Sequence, residues 1–238
     1  MRTRLISLLA ACLMLPGVTL AAGPAIPLER ANNDVSNVAS LQRGARTYVN
    51  FCLGCHSAQY VRYNRVARDL QLTEEQLIQN LMFTGERPFD TMQIAMPPAD
   101  AATWFGKTPP DLSLMSRARG TSYLYTFLRA FYVDEAGNSN NKVLEMTSMP
   151  NVLWSLQGQQ RALYDGEGNF ERFELVRQGS MSPQEFDATV RDLVNFLDYI
   201  GEPIQLERQR LGIRVIAFLL LFMLIAWLFK REVWKDVK

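Results

Sequence analysis

Phe51-Cys52-Leu53-Gly54-Cys55-His56 is the stretch of this chain whose residue types and spacing can do chemistry. Two thiols one helical turn apart can each add to a vinyl group of one porphyrin, and the adjacent imidazole then points at the iron. Cys-x-x-Cys-His is accordingly the attachment signature of c-type haem. A thioredoxin-like redox pair would have a strand before the motif and no obligatory histidine. A zinc site would need further Cys or His ligands. None is at hand, because His56 is the only histidine and the third cysteine, Cys12, falls in a segment read below as a cleaved signal. One covalent haem c is therefore expected on Cys52 and Cys55, with His56 as an iron ligand.

A single histidine also rules out bis-histidine coordination. A methionine, a lysine, an amine or an open position remains for the sixth site, and a methionine there would raise the reduction potential and close the iron to oxygen chemistry. Met82, Met92, Met96, Met115, Met146, Met149 and Met181 lie outside the signal and the anchor. Met82 sits on a helical stripe and Met115 among apolar residues, where methionine is ordinarily a gap filler. Met96 and Met149 each precede a proline that would hold a loop rigidly. Met181, in Gly179-Ser180-Met181-Ser182-Pro183, has small neighbours that let a loop lie flat against a porphyrin edge. It is the first choice, with Met149 and then Met96 behind it.

The elements that must position these groups read as mostly helical. From Pro24 to Val38 the chain is Pro, Asn and Ser rich and reads as an extended lead-in. Leu41, Ala45, Tyr48, Val49 and Cys52 recur at helical spacing behind Ser40, a predicted N-cap, so this helix runs into the cysteine motif. Thr73 and Gln76 form a predicted capping box. Met92 to Pro110, with two Pro-Pro pairs, reads as loop. A helix is expected over 122–132, a turn-rich stretch over 134–141 and a hairpin tip at Gly166. Ser182-Pro183 opens a last soluble helix with Phe186, Val190, Leu193, Val194 and Leu197 on one stripe, ended by Gly201 and Pro203. Long loops in a compact domain usually fold around something else, and a haem would serve.

The two ends place the domain. Arg2 and Arg4, an apolar run from Leu5 to Leu15 and the small pair Ala21-Ala22 have the order of a secretory signal, too short to span a bilayer. Val215 to Phe229 is unbroken apolar sequence with no polar face, and with Leu211 to Arg214 it approaches spanning length. Lys230, Arg231, Lys235 and Lys238, with Trp227 and Trp234, make the basic and aromatic border that stays cytoplasmic. Lys plus Arg (25) and Asp plus Glu (24) nearly cancel, which offers nothing to nucleic acid. Between signal and anchor the acidic residues outnumber the basic ones, a surface able to steer a basic partner.

Beyond these single features, the chain resembles the cytochrome c1 family of bacterial type over nearly its whole length. The resemblance is carried by Cys-x-x-Cys-His followed by Ser57 and Tyr60-Val61-Arg62-Tyr63, by Pro109-Pro110-Asp111-Leu112-Ser113 with Arg117-Ala118-Arg119, and by the Met149-Pro150 turn. Gly179-Ser180-Met181-Ser182, the Asp192 to Leu197 helix, Gly201-Glu202-Pro203 and the tail anchor complete it. The resemblance implies that Met181 is the sixth ligand, that Arg119 pairs with a haem propionate with Tyr123 as a second contact, and that Pro110 packs near the haem. The chain departs from the mitochondrial pattern at Gly120-Thr121-Ser122, which is shorter than the glycine-rich stretch found there.

The expected fold is mainly α, a cytochrome c-like haem domain with long loops plus one C-terminal transmembrane helix. Its parts are a signal peptide (1–22), a lead-in (23–38), the haem domain (39–205), an anchor (211–230) and a cytoplasmic tail (231–238). The resemblance implies an electron carrier, not an enzyme on its own, within a ubiquinol–cytochrome c oxidoreductase. Cytochrome b, the Rieske iron-sulfur protein, an acceptor c-type cytochrome and membrane lipid would be its partners. The location would be a bacterial cytoplasmic membrane, single-pass, with the haem domain periplasmic. Two rivals are an anchored cytochrome subunit of a terminal oxidase, which would lack the Pro-Pro-Asp-Leu-Ser region, and a haem enzyme with an open iron site.

Overall fold

A computed structural model describes residues 26–236; the expected signal at 1–22 lies outside the described residues. The lead-in from Ile26 to Asn37 carries no helix or strand, as its composition predicts. It is nonetheless bound to the domain, Glu29 N–H donating to Thr126 Oγ1 (2.8 Å) and Arg191 Nε donating to the Ala31 carbonyl (2.9 Å). Helix α1 (Val38–Phe51) buries Leu41, Ala45, Tyr48 and Val49, the predicted stripe. Its cap is Asn37 and not Ser40: the Asn37 side chain accepts the Ser40 N–H, and the Ser40 hydroxyl points inward to Asp192 Oδ1 at 2.6 Å. A buried carboxylate outcompetes the local capping role of the serine.

After the motif come β1 (Ala58–Arg62), α2 (Tyr63–Asp69) and α3 (Glu74–Asn80), the last opened by the predicted Thr73–Gln76 capping box. Strand β2 (Thr91–Met92) pairs antiparallel with β1. The stretch expected as loop also holds α4 (Pro98–Phe105), because Pro98 takes the first helical position, where no N–H is needed. Gly106, at φ +76°, ends it. Helices α5 (Met115–Arg119) and α6 (Thr121–Arg129) follow. The helix expected to reach Tyr132 stops at Arg129, and Phe131 and Tyr132 enter strand β3 (Phe131–Val133) against β4 (Ser139–Asn141). The turn-rich stretch is thus the tip of a hairpin. Short α7 (Trp154–Gln157) leads into β5 (Gly158–Tyr164) and β6 (Phe170–Gln178), a hairpin turning at Asp165 to Asn169 as expected around Gly166. Helix α8 (Pro183–Gly201) starts at Ser182, and Glu185 completes a capping box there.

Among the described residues the three two-stranded sheets are separate, and none of them forms the core. The core is the crossing of α1 on α8, flanked by α5 and α6. Gly44 makes the crossing close: a Cβ there would lie 2.0 Å from the Asp192 carbonyl oxygen. Tyr48 packs on Phe196 with ring centroids 5.5 Å apart. Arg43 Nε meets Asp192 Oδ2 at 2.5 Å across the same seam. Helix α9 (Gln205–Val233) spans 29 residues and buries none of them against the domain. It is about 44 Å long at 1.5 Å per residue, enough to cross a bilayer, and it contains the whole of the expected anchor at 211–230.

Candidate haem-binding site

Helix α1 delivers the motif. Its last turn runs on through Cys52 N–H to the Tyr48 carbonyl (2.8 Å), and a tight turn then folds Cys55 N–H (3.0 Å) and His56 N–H (2.8 Å) back onto the Cys52 carbonyl. Both thiols and the imidazole therefore share one turn of chain. Cys52 is buried, Cys55 is half-buried, and no disulfide joins them. Burial, with Cys55 adding to it, pushes the Cys52 thiol up to about 12. A thioredoxin-type nucleophile needs the opposite shift, so a helix before the motif and a raised thiol both argue against that rival. Among the described residues no three Cys, His, Asp or Glu side chains gather as metal ligands.

His56 Nδ1 lies 2.7 Å from the Pro110 carbonyl oxygen. A carbonyl can only accept, so Nδ1 carries the proton and Nε2 keeps its lone pair. Burial lowers the His56 pKa, opposed by this hydrogen bond and by the charge of Asp111. A neutral imidazole with a free Nε2, beside two unbridged thiols on one turn, is the donor set that a covalent haem iron requires.

Pro110 is held there by its neighbours. Leu112 N–H donates to the Ser57 carbonyl at 2.8 Å, and the Asp111 carboxylate accepts from Gln59 N–H (2.9 Å) and Ser113 N–H (2.8 Å). The hydroxyl of fully buried Ser113 accepts from Tyr60 N–H at 3.1 Å. The resemblance implies that Pro110 packs near the haem, and the structure puts its carbonyl on the histidine. Sequence reasoning missed Asp111 and Ser113, whose only signal was membership of the Pro-Pro-Asp-Leu-Ser segment.

The remaining expected residues fall into two further groups. Met181 lies on a segment clamped to α7, with Ser180 N–H on the Ser155 carbonyl (2.9 Å) and Met181 N–H on the Leu156 carbonyl (3.1 Å). Gly179 permits this, since a Cβ there would lie 2.3 Å from the Leu156 oxygen. The Met181 side chain packs half-buried against the core that contains Cys52, and the Thr189 hydroxyl approaches its sulfur at 3.5 Å. Met82, Met115 and Met149 also touch that core, Met92 is fully buried in it, and Met146 is 88% exposed. Arg119, exposed at the end of α5, places its guanidinium 5.5 Å from the Tyr123 ring centroid. Among the described residues no carboxylate pairs with Arg119, unlike its neighbour Arg117, which meets Glu202 at 3.0 Å. No hydrogen bond joins the Cys52–His56–Pro110, Arg119–Tyr123 and Met181 groups among the described residues; Tyr123 and Met181 meet the first through the shared core.

A helix-borne Cys-x-x-Cys-His, a histidine with Nε2 free and, among the described residues, one helix long and apolar enough to cross a membrane are the marks of a membrane-anchored c-type cytochrome. The model of the Cytochrome C1 family matches residues 32–237, and the chain belongs to that family. It is 46% identical over 233 residues to cytochrome c1 of Allochromatium vinosum, covering 94% of this chain and 96% of that protein. It is 41% identical over 232 residues to a protein of Nitrosomonas europaea named ammonia monooxygenase gamma subunit, covering 97% of each. A chain of a hyperthermophilic respiratory complex III covers all of this one at a TM-score of 0.45 and 14% identity, a likeness too slight to add to the case. Proteins of the family carry one covalently bound haem c, and this chain is an electron-transfer subunit of the cytochrome bc1 type, tethered by one membrane helix.

Proposed function

We propose that Cys52 and Cys55 would hold a haem by thioethers, that His56 Nε2 and Met181 Sδ would ligate its iron, and that Arg119 and Tyr123 would pair with a propionate. The observation that carries this reading is the His56 Nδ1–Pro110 hydrogen bond, which fixes the tautomer beside two free thiols. Bound there, the haem iron supplies reversible one-electron transfer. The protein's part is to set the potential through the ligands, their hydrogen bonds and burial, and to keep the site closed to other chemistry. The Arg119 guanidinium, which meets no carboxylate among the described residues and is backed by an aromatic face, supports anion pairing.

The electron enters from a Rieske iron-sulfur protein and leaves to an acceptor c-type cytochrome, in an assembly with cytochrome b. Residues 1–22 act as a signal, 39–205 form the haem domain on the periplasmic side of a bacterial cytoplasmic membrane, and 231–238 stay cytoplasmic. The basic and aromatic end of α9, where Arg231 sits over the Trp227 ring at 5.3 Å, supports that orientation. Replacing Met181 with Leu tests the ligand assignment: the reduction potential should fall and carbon monoxide should bind the reduced iron. An unchanged potential with no carbon monoxide binding would pass the role to Met149 or Met96.

A further inference from the structure

Asp111 belongs to neither the thioether motif nor the ligand set, yet each oxygen of its carboxylate accepts a main-chain hydrogen bond, one from each of the two segments that meet beside His56. Oδ2 accepts from Gln59 N–H at 2.9 Å and Oδ1 from Ser113 N–H at 2.8 Å. The residues immediately around it, Pro110 and Leu112, carry the bonds to His56 Nδ1 (2.7 Å) and to the Ser57 carbonyl (2.8 Å). Ser57 in turn is fixed through its hydroxyl, which accepts from Ile94 N–H at 3.1 Å. The chain after His56 and the chain after Pro110 are thereby stitched side by side, with the carboxylate bridging them. On the other side of the imidazole the main chain is equally fixed, since the Tyr48 hydroxyl donates to the His56 carbonyl at 2.8 Å.

We propose that Asp111 is a positioning residue for His56: its carboxylate presses the Pro110 carbonyl onto Nδ1–H and so sets the orientation and basicity of the imidazole. This rests on the reading that His56 ligates the iron. The physical chain is short. A hydrogen bond from the far nitrogen of a ligating imidazole to a carbonyl makes the near nitrogen a stronger donor, and a stronger donor favours the ferric state. The negative charge nearby works in the same direction. Loss of Asp111 therefore raises the potential by two routes, and only one of them changes how the ring is held.

The test uses the full-length, haem-loaded chain purified in detergent, as wild type, D111A, D111N and D111E. Two readouts are taken: the midpoint potential from a redox titration, and the low-spin ferric EPR spectrum, which follows ligand orientation and field. Covalent haem content should stay at the wild-type level, because Cys52 and Cys55 are untouched. D111A should shift the one-electron equilibrium towards the ferrous form by about tenfold, which is about 59 mV, and should move the low-field EPR feature. D111E keeps the charge but pushes the Pro110 carbonyl out of place by one methylene, so its EPR feature should move as well. Should D111A accumulate poorly, D111E carries the comparison alone. Equal potential shifts in D111A and D111N with wild-type EPR spectra throughout would reduce Asp111 to a bare charge and overturn the positioning role, as would no change in any variant. His56→Ala is run beside them. If it keeps the wild-type spectrum, the ligand assignment itself fails; if its spectrum is lost while the Asp111 variants stay unchanged, only the positioning role does.

Discussion

At the scale of single residues, the site depends on two kinds of fit, donor chemistry and clearance. The His56 tautomer is fixed because its Nδ1–H donates to a carbonyl 54 positions further along the chain, leaving Nε2 with its lone pair. Gly179 supplies clearance for the proposed sixth ligand. A methyl group at residue 179 would collide with the Leu156 backbone at 2.3 Å, so Gly179→Ala should displace the Met181 segment from α7. Overpacking of this kind costs about 1–3 kcal/mol. The expected outcome is a lowered melting temperature together with partial carbon monoxide binding, and a variant that melts like wild type would show that the segment has room to move. Cys52→Ser leaves one thiol on the turn. Denatured, acid-acetone-washed protein should then lose most of its covalent haem, read by haem stain against protein.

At the scale of elements, the α1–α8 crossing is the piece on which the motif stands. Gly44→Ala would drive a methyl group to 2.0 Å from the Asp192 carbonyl, forcing the helices apart just below the turn that carries Cys52. About 1–3 kcal/mol of destabilisation is expected, seen as a lower midpoint in urea. Asp192 also gathers Arg43 and the Ser40 hydroxyl, and Asn195 bonds Ser40 and the Asp34 carbonyl, so the seam is polar as well as tight. Acid should loosen several of these element ends. The Asp34 carboxylate is held below its ordinary range by Ser36, and Glu185 by the Ser182 backbone and hydroxyl at the start of α8. A carboxyl depressed in the folded state contributes stability that is present above its unfolded value. That stability is lost as pH falls through the folded value. The contribution of these two carboxylates should therefore be flat near neutrality and decline below about pH 4, and Glu185→Gln should shallow that part of the decline in an acid unfolding series.

At the scale of the whole molecule, a compact haem domain and an exposed apolar helix meet at Glu202 and Pro203. Glu202 pairs with Arg117 of α5 and with Arg208 of α9, which lowers its pKa and ties the anchor's first turn to the domain. None of the core contacts made by α1, α6 and α8 involves the membrane segment. Cutting before Arg214 should accordingly release a soluble, still red domain with the melting behaviour of the intact protein. Persistent sedimentation with membranes would show that the domain has a second attachment.

The chain's own residues determined the haem motif, the anchor, the capping box at Thr73, the start of α8 at Ser182-Pro183 and the hairpin at Gly166, because each is written within a few consecutive positions. Periodicity, capping and apolar length are local quantities, and they survive whatever the rest of the fold does. What only the tertiary structure decided is long-range: which carbonyl accepts from His56 Nδ1–H, that Asp111 and Ser113 stitch the segment bearing it to the chain after His56, and that Ser40 serves Asp192 instead of a helix end. Two glycines, Gly44 and Gly179, likewise show their purpose only when a distant backbone is brought against them. Such contacts form between segments tens of residues apart, and no local pattern encodes which partner arrives, since the choice is made by the packing of the whole core.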